Sequence, residues 1–189
     1  MQLTLPSTAA PQVVRHGRVA ARRARVGWLL AGLVTLALGC DTEPAAEIGE
    51  QLCGPSEAKV ARVVDGDTIE LETGERVRYL MIDTPESTTE TECWGAEAKA
   101  ANVALVEGKT VTLTYDVECE DAYGRLLAYV ELSGQEINRV MIERGHACVL
   151  HISPNGDAIA DEYEALEYQA QMQLPPAGLW ATCDPIPCG

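Results

Sequence analysis

The stretch DGDTIELETGERVRYLMIDTPE, Asp65 to Glu86, decides the fold. Within it Ile69 and Leu71 alternate with Thr68, Glu70 and Glu72, the two-residue period of a strand buried on one face. Thr73-Gly74 supplies a turn and Arg76 to Ile82 resumes as a second strand, so residues 68–82 are predicted as a hairpin. A register symmetric about Gly74 sets Asp67 opposite Met81 and makes Asp83 its diagonal neighbour, with Cβ atoms about 7–8 Å apart. Two inward carboxylates at that spacing can share one cation, since Ca²⁺ holds oxygens at about 2.3–2.6 Å. Without a cation they repel, and one is driven to protonate. The pair predicts a hard metal, and Ca²⁺ is the abundant one outside the cell. In a regular strand Arg78 faces away from Asp83, so placing both at one site requires a bulge or a strong twist between them.

Outward from the hairpin, strands are predicted near Thr110 to Tyr115 and Leu126 to Leu132. Three helices interleave. Ala96 to Glu107 carries Ala96, Ala100 and Val103 on one stripe and stops at Gly108. Ile137 to Arg144 turns Ile137, Val140 and Met141 inward, with Gly145 after it. Asp157 to Gln173 places Ile159, Tyr163, Leu166 and Ala170 at helical spacing, and Pro175-Pro176 ends it. A small, mainly β domain with interspersed helices points to a partly open barrel rather than a doubly wound sheet.

The 189 residues hold 14 Lys and Arg against 29 Asp and Glu, a net charge of −15. Five of the basic residues (Arg15, Arg18, Arg22, Arg23, Arg25) precede the first carboxylate, Asp41. The remainder carries nine basic residues against all 29 acidic ones, a net near −20, which argues against a protein that coats polyanions non-specifically. The uncharged segment Val26 to Gly39 is shorter than the roughly 20 residues of a spanning helix. It suits the apolar region of a secretory signal behind an arginine-rich flank. Its end, Ala37-Leu38-Gly39-Cys40, resembles a bacterial lipoprotein processing site, in which the cysteine is acylated. Residues 1–40 are therefore expected to be an export signal, with a lipid anchor on Cys40 at the cell-envelope membrane, or a cleaved leader in a secreted or periplasmic protein. Residues 41–56, acidic and rich in Ala, Pro and Gly, are expected to be a flexible tether. A domain over 57–182 and a cysteine-containing tail over 183–189 follow.

Six cysteines remain beyond Cys40: Cys53, Cys93, Cys119, Cys148, Cys183 and Cys188. An even number in an exported chain reads as disulfides, with 15 possible connectivities. Zinc is disfavoured, since no C-x-x-C occurs and only His146 and His151 lie beyond the signal.

Taken together, DGDT at 65–68, Arg78-x4-Asp83-Thr84-Pro85-Glu86, Tyr123-Gly124-Arg125-x-Leu127-Ala128-Tyr129-Val130 and Gly178-Leu179-Trp180 resemble, in order and spacing, the staphylococcal nuclease (thermonuclease) family. The similarity runs from about Ala58 to Thr182. It implies a five-stranded OB-type barrel with three helices, an α+β fold that is mainly β. It also implies Ca²⁺-dependent hydrolysis of phosphodiester bonds in DNA or RNA; the protein is expected to be a monomer. By the same resemblance Asp67 and Asp83 are metal-binding carboxylates, and Thr84 offers its backbone carbonyl to the metal. Glu86 is the general base for the attacking water, Arg78 and Arg125 clamp the phosphate, and Tyr123 contacts a neighbouring phosphate. These residue types suit the reaction: in-line displacement at a phosphodiester needs fixed positive charge and a positioned water. The family fold further implies that the tail packs near the segment of Cys148, which makes Cys148–Cys183 the expected disulfide.

The departures fall on substrate contacts. Ala122 stands where the family has a lysine, and Leu150 and Ile152, flanking His151, stand where it has two tyrosines. They favour the rival reading, a non-catalytic OB-fold module binding nucleic acid or a protein partner at the cell envelope, whereas Glu86 favours catalysis. Asp65 and Asp121 read as turn residues, Trp94 as loop packing and His151 as a solvent-facing side chain. The acidity is the physical objection, since it repels a polyanion over a Debye length of about 8 Å. Two arginines and a cation prevail at contact because Coulomb interactions are largest at short range.

Overall fold

Five strands close into a ring in the computed structural model, which describes residues 53–188. β1 (Glu57–Val63) pairs antiparallel with β2 (Thr68–Leu71) on one side and β5 (Thr110–Glu120) on the other. β2 pairs with β3 (Arg76–Tyr79), and β5 with β6 (Leu126–Leu132), both antiparallel. β3 then lies parallel to β6, with Val77 beside Leu126 and Arg78 beside Leu127, which closes the barrel. A parallel pair cannot be joined by a tight turn, and here the connection runs through α1 (Gly95–Val106) and β5. The core fills the ring with Val60, Ile69, Leu71, Val77, Leu113 and Val130, all buried. This is the OB-type barrel expected from the sequence.

The hairpin register differs from the expected one. Thr68 pairs with Arg78, Ile69 with Val77 and Glu70 with Arg76. Leu71 N–H donates to the Glu75 carbonyl at 2.9 Å, leaving Glu72-Thr73-Gly74 as a three-residue loop whose last member, Gly74, has φ 101°. Such loops end in a left-handed residue, which glycine adopts without strain. The pairing is therefore centred on Thr73, and Asp67 sits opposite Tyr79, whose N–H donates to the Asp67 carbonyl at 2.8 Å. Asp67 is not opposite Met81. The break required between Arg78 and Asp83 is present: Met81 has φ 66° and separates β3 from β4 (Ile82–Asp83). β4 leaves the barrel to pair with β8 (Cys148–Val149), Asp83 opposite Cys148.

The helices pack on the barrel and on one another. α1 buries Ala98, Asn102 and Val106, and Asn102 takes the Tyr79 hydroxyl at 3.0 Å while donating to the Asp65 carbonyl at 3.2 Å. β7 (Gln135–Glu136) leads into α2 (Ile137–Glu143). α3 (Ala160–Gln171) begins three residues later than the periodicity predicts, because Asp157 is engaged by His151 and Ser153 in the preceding turns. A short α4 (Leu179–Thr182) follows.

Cysteines 53 and 119, 93 and 183, and 148 and 188 are paired. The expected Cys148–Cys183 bond is not formed. Both residues belong to one small buried cluster around Leu179, so the neighbourhood is as expected, but Cys183 reaches across to Cys93 and Cys188 returns to Cys148. Each bond stabilises by about 2–4 kcal/mol through restricting the unfolded chain. Residues 53–56, read from the sequence as the end of a tether, are pinned to β5: the Tyr115 hydroxyl donates to the Pro55 carbonyl at 2.9 Å, and Leu113 N–H to that of Ser56 at 2.9 Å. Cys40 and the export segment lie outside the described residues.

Candidate active site

The site begins where β2 meets its turn. Asp67 is buried to 4% exposure, and a carboxylate there needs partners. It has four. Thr84 donates its backbone N–H at 2.8 Å and its hydroxyl at 2.9 Å to Oδ2, Arg78 Nη1 lies 2.9 Å from the same oxygen, and Thr68 Oγ1 donates to Oδ1 at 3.1 Å. Gly66 allows this packing, since a methyl group there would lie 2.6 Å from Thr84 Oγ1.

Arg78 reaches Asp67 and Asp83 together. Nη2 donates to Asp83 Oδ1 at 2.9 Å, and Nη1 also donates to the Ile82 carbonyl at 2.8 Å. The left-handed Met81 turns Asp83 back toward the guanidinium, and the side chain of Arg78 is 14% exposed. Burial raises the Asp83 pKa, with repulsion from Asp67, Glu86 and Glu92 adding to it against the attraction of Arg78. Asp65, beside this pair, is pushed up to about 6 by burial and then by the charge of Asp67. Negative charge is thus in excess around one guanidinium. Among the described residues no group of three His, Cys, Asp or Glu side chains lies at metal-ligand spacing. Two hard oxygen donors held by one guanidinium, with Asp83 Oδ2 unpartnered among the described residues, nonetheless suit a hard divalent cation.

The second arginine comes from the β5–β6 turn. Asp121 Oδ1 accepts the backbone N–H of Tyr123 at 2.8 Å and of Arg125 at 3.0 Å, and Oδ2 accepts Arg125 Nε at 2.6 Å. Partial burial alone would raise the Asp121 carboxyl, but these hydrogen bonds and the Arg125 charge hold it below the ordinary range. Arg125 Nη1 and Nη2 have no protein partner among the described residues, so the end of the fork is available to a phosphate. The Arg125 guanidinium lies 5.5 Å from the centroid of the Tyr123 ring, which is 86% exposed.

Arg78, Arg125 and Tyr123 line one cavity of about 840 Å³. Ala122, Leu150 and Ile152, the positions that depart from the family pattern, line it too, so its wall is apolar where that pattern has a lysine and two tyrosines. Glu86 stands apart on an exposed turn, where its carboxylate accepts from Thr88 Oγ1 at 3.3 Å. Its charge bears on Asp83, but none of the other predicted site residues is a hydrogen-bond partner of its side chain. The structure therefore gathers Asp67, Arg78, Asp83 and Thr84, sets Arg125 and Tyr123 around the cavity that Arg78 shares, and leaves Glu86 at the edge.

Sequence reasoning missed two residues. Asn102 fastens α1 to Asp65 and Tyr79, and an Asn on the buried stripe of a helix is the signal that could have revealed it. Glu92, in a run of Ser, Thr and Glu, carries no motif. Trp94 donates Nε1–H to His146 Nδ1 at 3.0 Å and is packing, as read. His151 bonds Asp157 at 2.8 Å and is exposed.

A family model described as staphylococcal nuclease homologue matches residues 76–182. An uncharacterized endonuclease of Escherichia coli is 36% identical over 140 residues, 72% of this chain and 84% of that protein. Thermonuclease of Staphylococcus intermedius is 37% identical over 120 residues, 60% of this chain and 68% of that one. An uncharacterized protein of Bacillus anthracis is 37% identical over 131 residues, and the chain spans 60% of its length. With the closed barrel, the Arg78–Asp67–Asp83 cluster and the second arginine in place, these matches show that the chain belongs to the staphylococcal nuclease homologue family.

Proposed function

We propose that this chain is an exported, Ca²⁺-dependent nuclease that hydrolyses phosphodiester bonds of DNA, RNA or both. The observation that carries the reading is that Arg78 joins Asp67 and Asp83 while sharing one cavity with Arg125. Asp67, Asp83 and the Thr84 carbonyl would hold the cation, which supplies positive charge for the phosphate and lowers the pKa of water.

The protein's own groups do the rest. Arg125, held at Nε by Asp121, presents its terminal nitrogens to the phosphate oxygens and stabilises charge developing on them. Arg78 is held by both carboxylates, and a phosphate entering the cavity meets its edge beside them. Glu86, exposed on its turn, orients the attacking water and accepts its proton. Tyr123, projecting beyond Arg125, contacts the next phosphate along the strand. The apolar wall at Leu150 and Ile152 replaces hydrogen bonding to the nucleotide with contact to its base and sugar.

Export is supported by the arginine-flanked apolar segment ending at Cys40, and by the pairing of all six later cysteines. We read Cys40 as the lipid-bearing residue of a monomeric envelope protein.

The test is digestion of matched single-stranded DNA, duplex DNA and RNA with Ca²⁺ and with chelator. Release of acid-soluble nucleotides only with Ca²⁺ is expected. Binding without any release would instead favour the non-catalytic module, which the Ala122, Leu150 and Ile152 departures suit.

A further inference from the structure

We infer that Glu92, fastened by the Cys93–Cys183 disulfide, is the positioning residue for Glu86. The inference rests on the role of Glu86 proposed above. Glu86 lies on an exposed turn, and its side chain has only Thr88 to hold it. Its backbone is gripped at both ends. Glu86 N–H donates to Glu92 Oε2 at 2.8 Å, and Glu92 N–H donates to the Glu86 carbonyl at 2.9 Å. The two bonds close a ring that pinches off residues 87–91, a run of Ser, Thr and Glu in which Ser87 alone is partly buried and its hydroxyl has no hydrogen-bond partner among the described residues.

The far side of the pinch is anchored independently. Cys93 follows Glu92 and is bonded to Cys183, which is buried against Leu179 and Trp94. Gly95 opens α1 with its backbone against the Glu86 carbonyl, so closely that a methyl group there would overlap it. Glu92 is thus fixed to the body of the protein through its own main chain, and it transmits that fixity to Glu86. A misplacement of about 1 Å can cost about 10²-fold in rate, and the long Thr88 contact at 3.3 Å is the only hydrogen bond to the Glu86 carboxylate among the described residues. The function required of Glu92 is acceptance of one N–H, so a Gln amide oxygen can substitute for the carboxylate.

The experiment uses the full chain and compares the parent with E92A, E92Q and the C93S/C183S pair. Three quantities are measured: kcat and KM on single-stranded DNA with Ca²⁺, exchange of the Glu86 amide by NMR, and Tm. For E92A a fall of about 10–100-fold in kcat is expected, with KM within about twofold and Glu86 amide exchange at least about tenfold faster. E92Q restores both to within about threefold of the parent. C93S/C183S reproduces the loss in kcat, and so does mild reductant added to the parent, because Cys93 is exposed. A purely structural role moves Tm alone. An unchanged kcat in E92A, or an equal loss in E92Q, overturns the positioning role. A parent that cleaves no nucleic acid overturns the proposed function instead, and amide exchange still decides whether Glu92 holds Glu86.

Discussion

Asp121 grips Arg125 at two points, taking its backbone N–H on Oδ1 at 3.0 Å and its Nε on Oδ2 at 2.6 Å. The backbone bond sets the turn and the side-chain bond aims the guanidinium. D121N keeps an acceptor for the backbone but can no longer offer a charged oxygen to Nε. We expect about a tenfold loss in kcat/KM with little change in Tm, read by steady-state kinetics and a thermal melt. R125K, which loses the planar fork, should cost about 10²–10³. Equal rates for D121N and the parent would remove Asp121 from the aiming of Arg125.

Arg78 is the only cation bonded to the buried Asp67 among the described residues. R78M leaves that carboxylate and Asp83 without their shared partner. Breaking such a buried pair costs about 3–5 kcal/mol, and a cation bound between the carboxylates offsets part of it. Melting in chelator should show R78M strongly destabilised, with added Ca²⁺ raising its Tm by more than it raises the parent's. A Ca²⁺ response no larger in R78M would count against Asp67 and Asp83 as cation ligands.

Gly66 faces the Thr84 side chain. G66A drives a methyl group into the hydroxyl that donates to Asp67, and overpacking of this kind costs about 1–3 kcal/mol. Equilibrium denaturation measures it. A G66A protein as stable as the parent would mean that Thr84 yields without consequence.

His146 accepts the Trp94 Nε1–H on Nδ1 and is therefore neutral there. Burial, with the Arg144 charge beside it, depresses its pKa below the ordinary 6.5. For a base shifted this way the stabilisation is complete above the unfolded-state value of about 6.5 and declines as pH falls below it. Tm should drop between pH 7 and pH 5, and H146Q, whose amide oxygen can take the same N–H, should flatten that drop. A parent Tm unchanged across the interval would refute the assignment.

The parts of the fold that repeat were legible in the sequence. Thr68 to Ile82 alternates and forms strands, Leu126–Leu132 was bounded at both ends, and α1 and α2 sit within a residue of their predicted limits. The hairpin register was not legible. Gly74 looks like the centre of a turn, but as the left-handed last residue of a three-residue loop it shifts the pairing by two. The Met81 turn was foreseeable only as a need, since a methionine carries no local signal for positive φ. In the site, acidic and arginine motifs were readable because each type is chemically demanded. Asn102 and the two tail disulfides join residues distant in the chain, and Glu92 reaches the Glu86 backbone six residues away through a bond that no motif marks.

The three sulfur bridges differ in when they can be made. Synthesis from the amino end exposes Cys53 and Cys119 well before Cys183 and Cys188, so the barrel can be stapled while the later partners of Cys93 and Cys148 are still missing. Such an early product holds every residue assigned to the chemistry, yet lacks the fastening behind Glu92. Competence to cut would then arrive last, with the tail bridges rather than with the barrel.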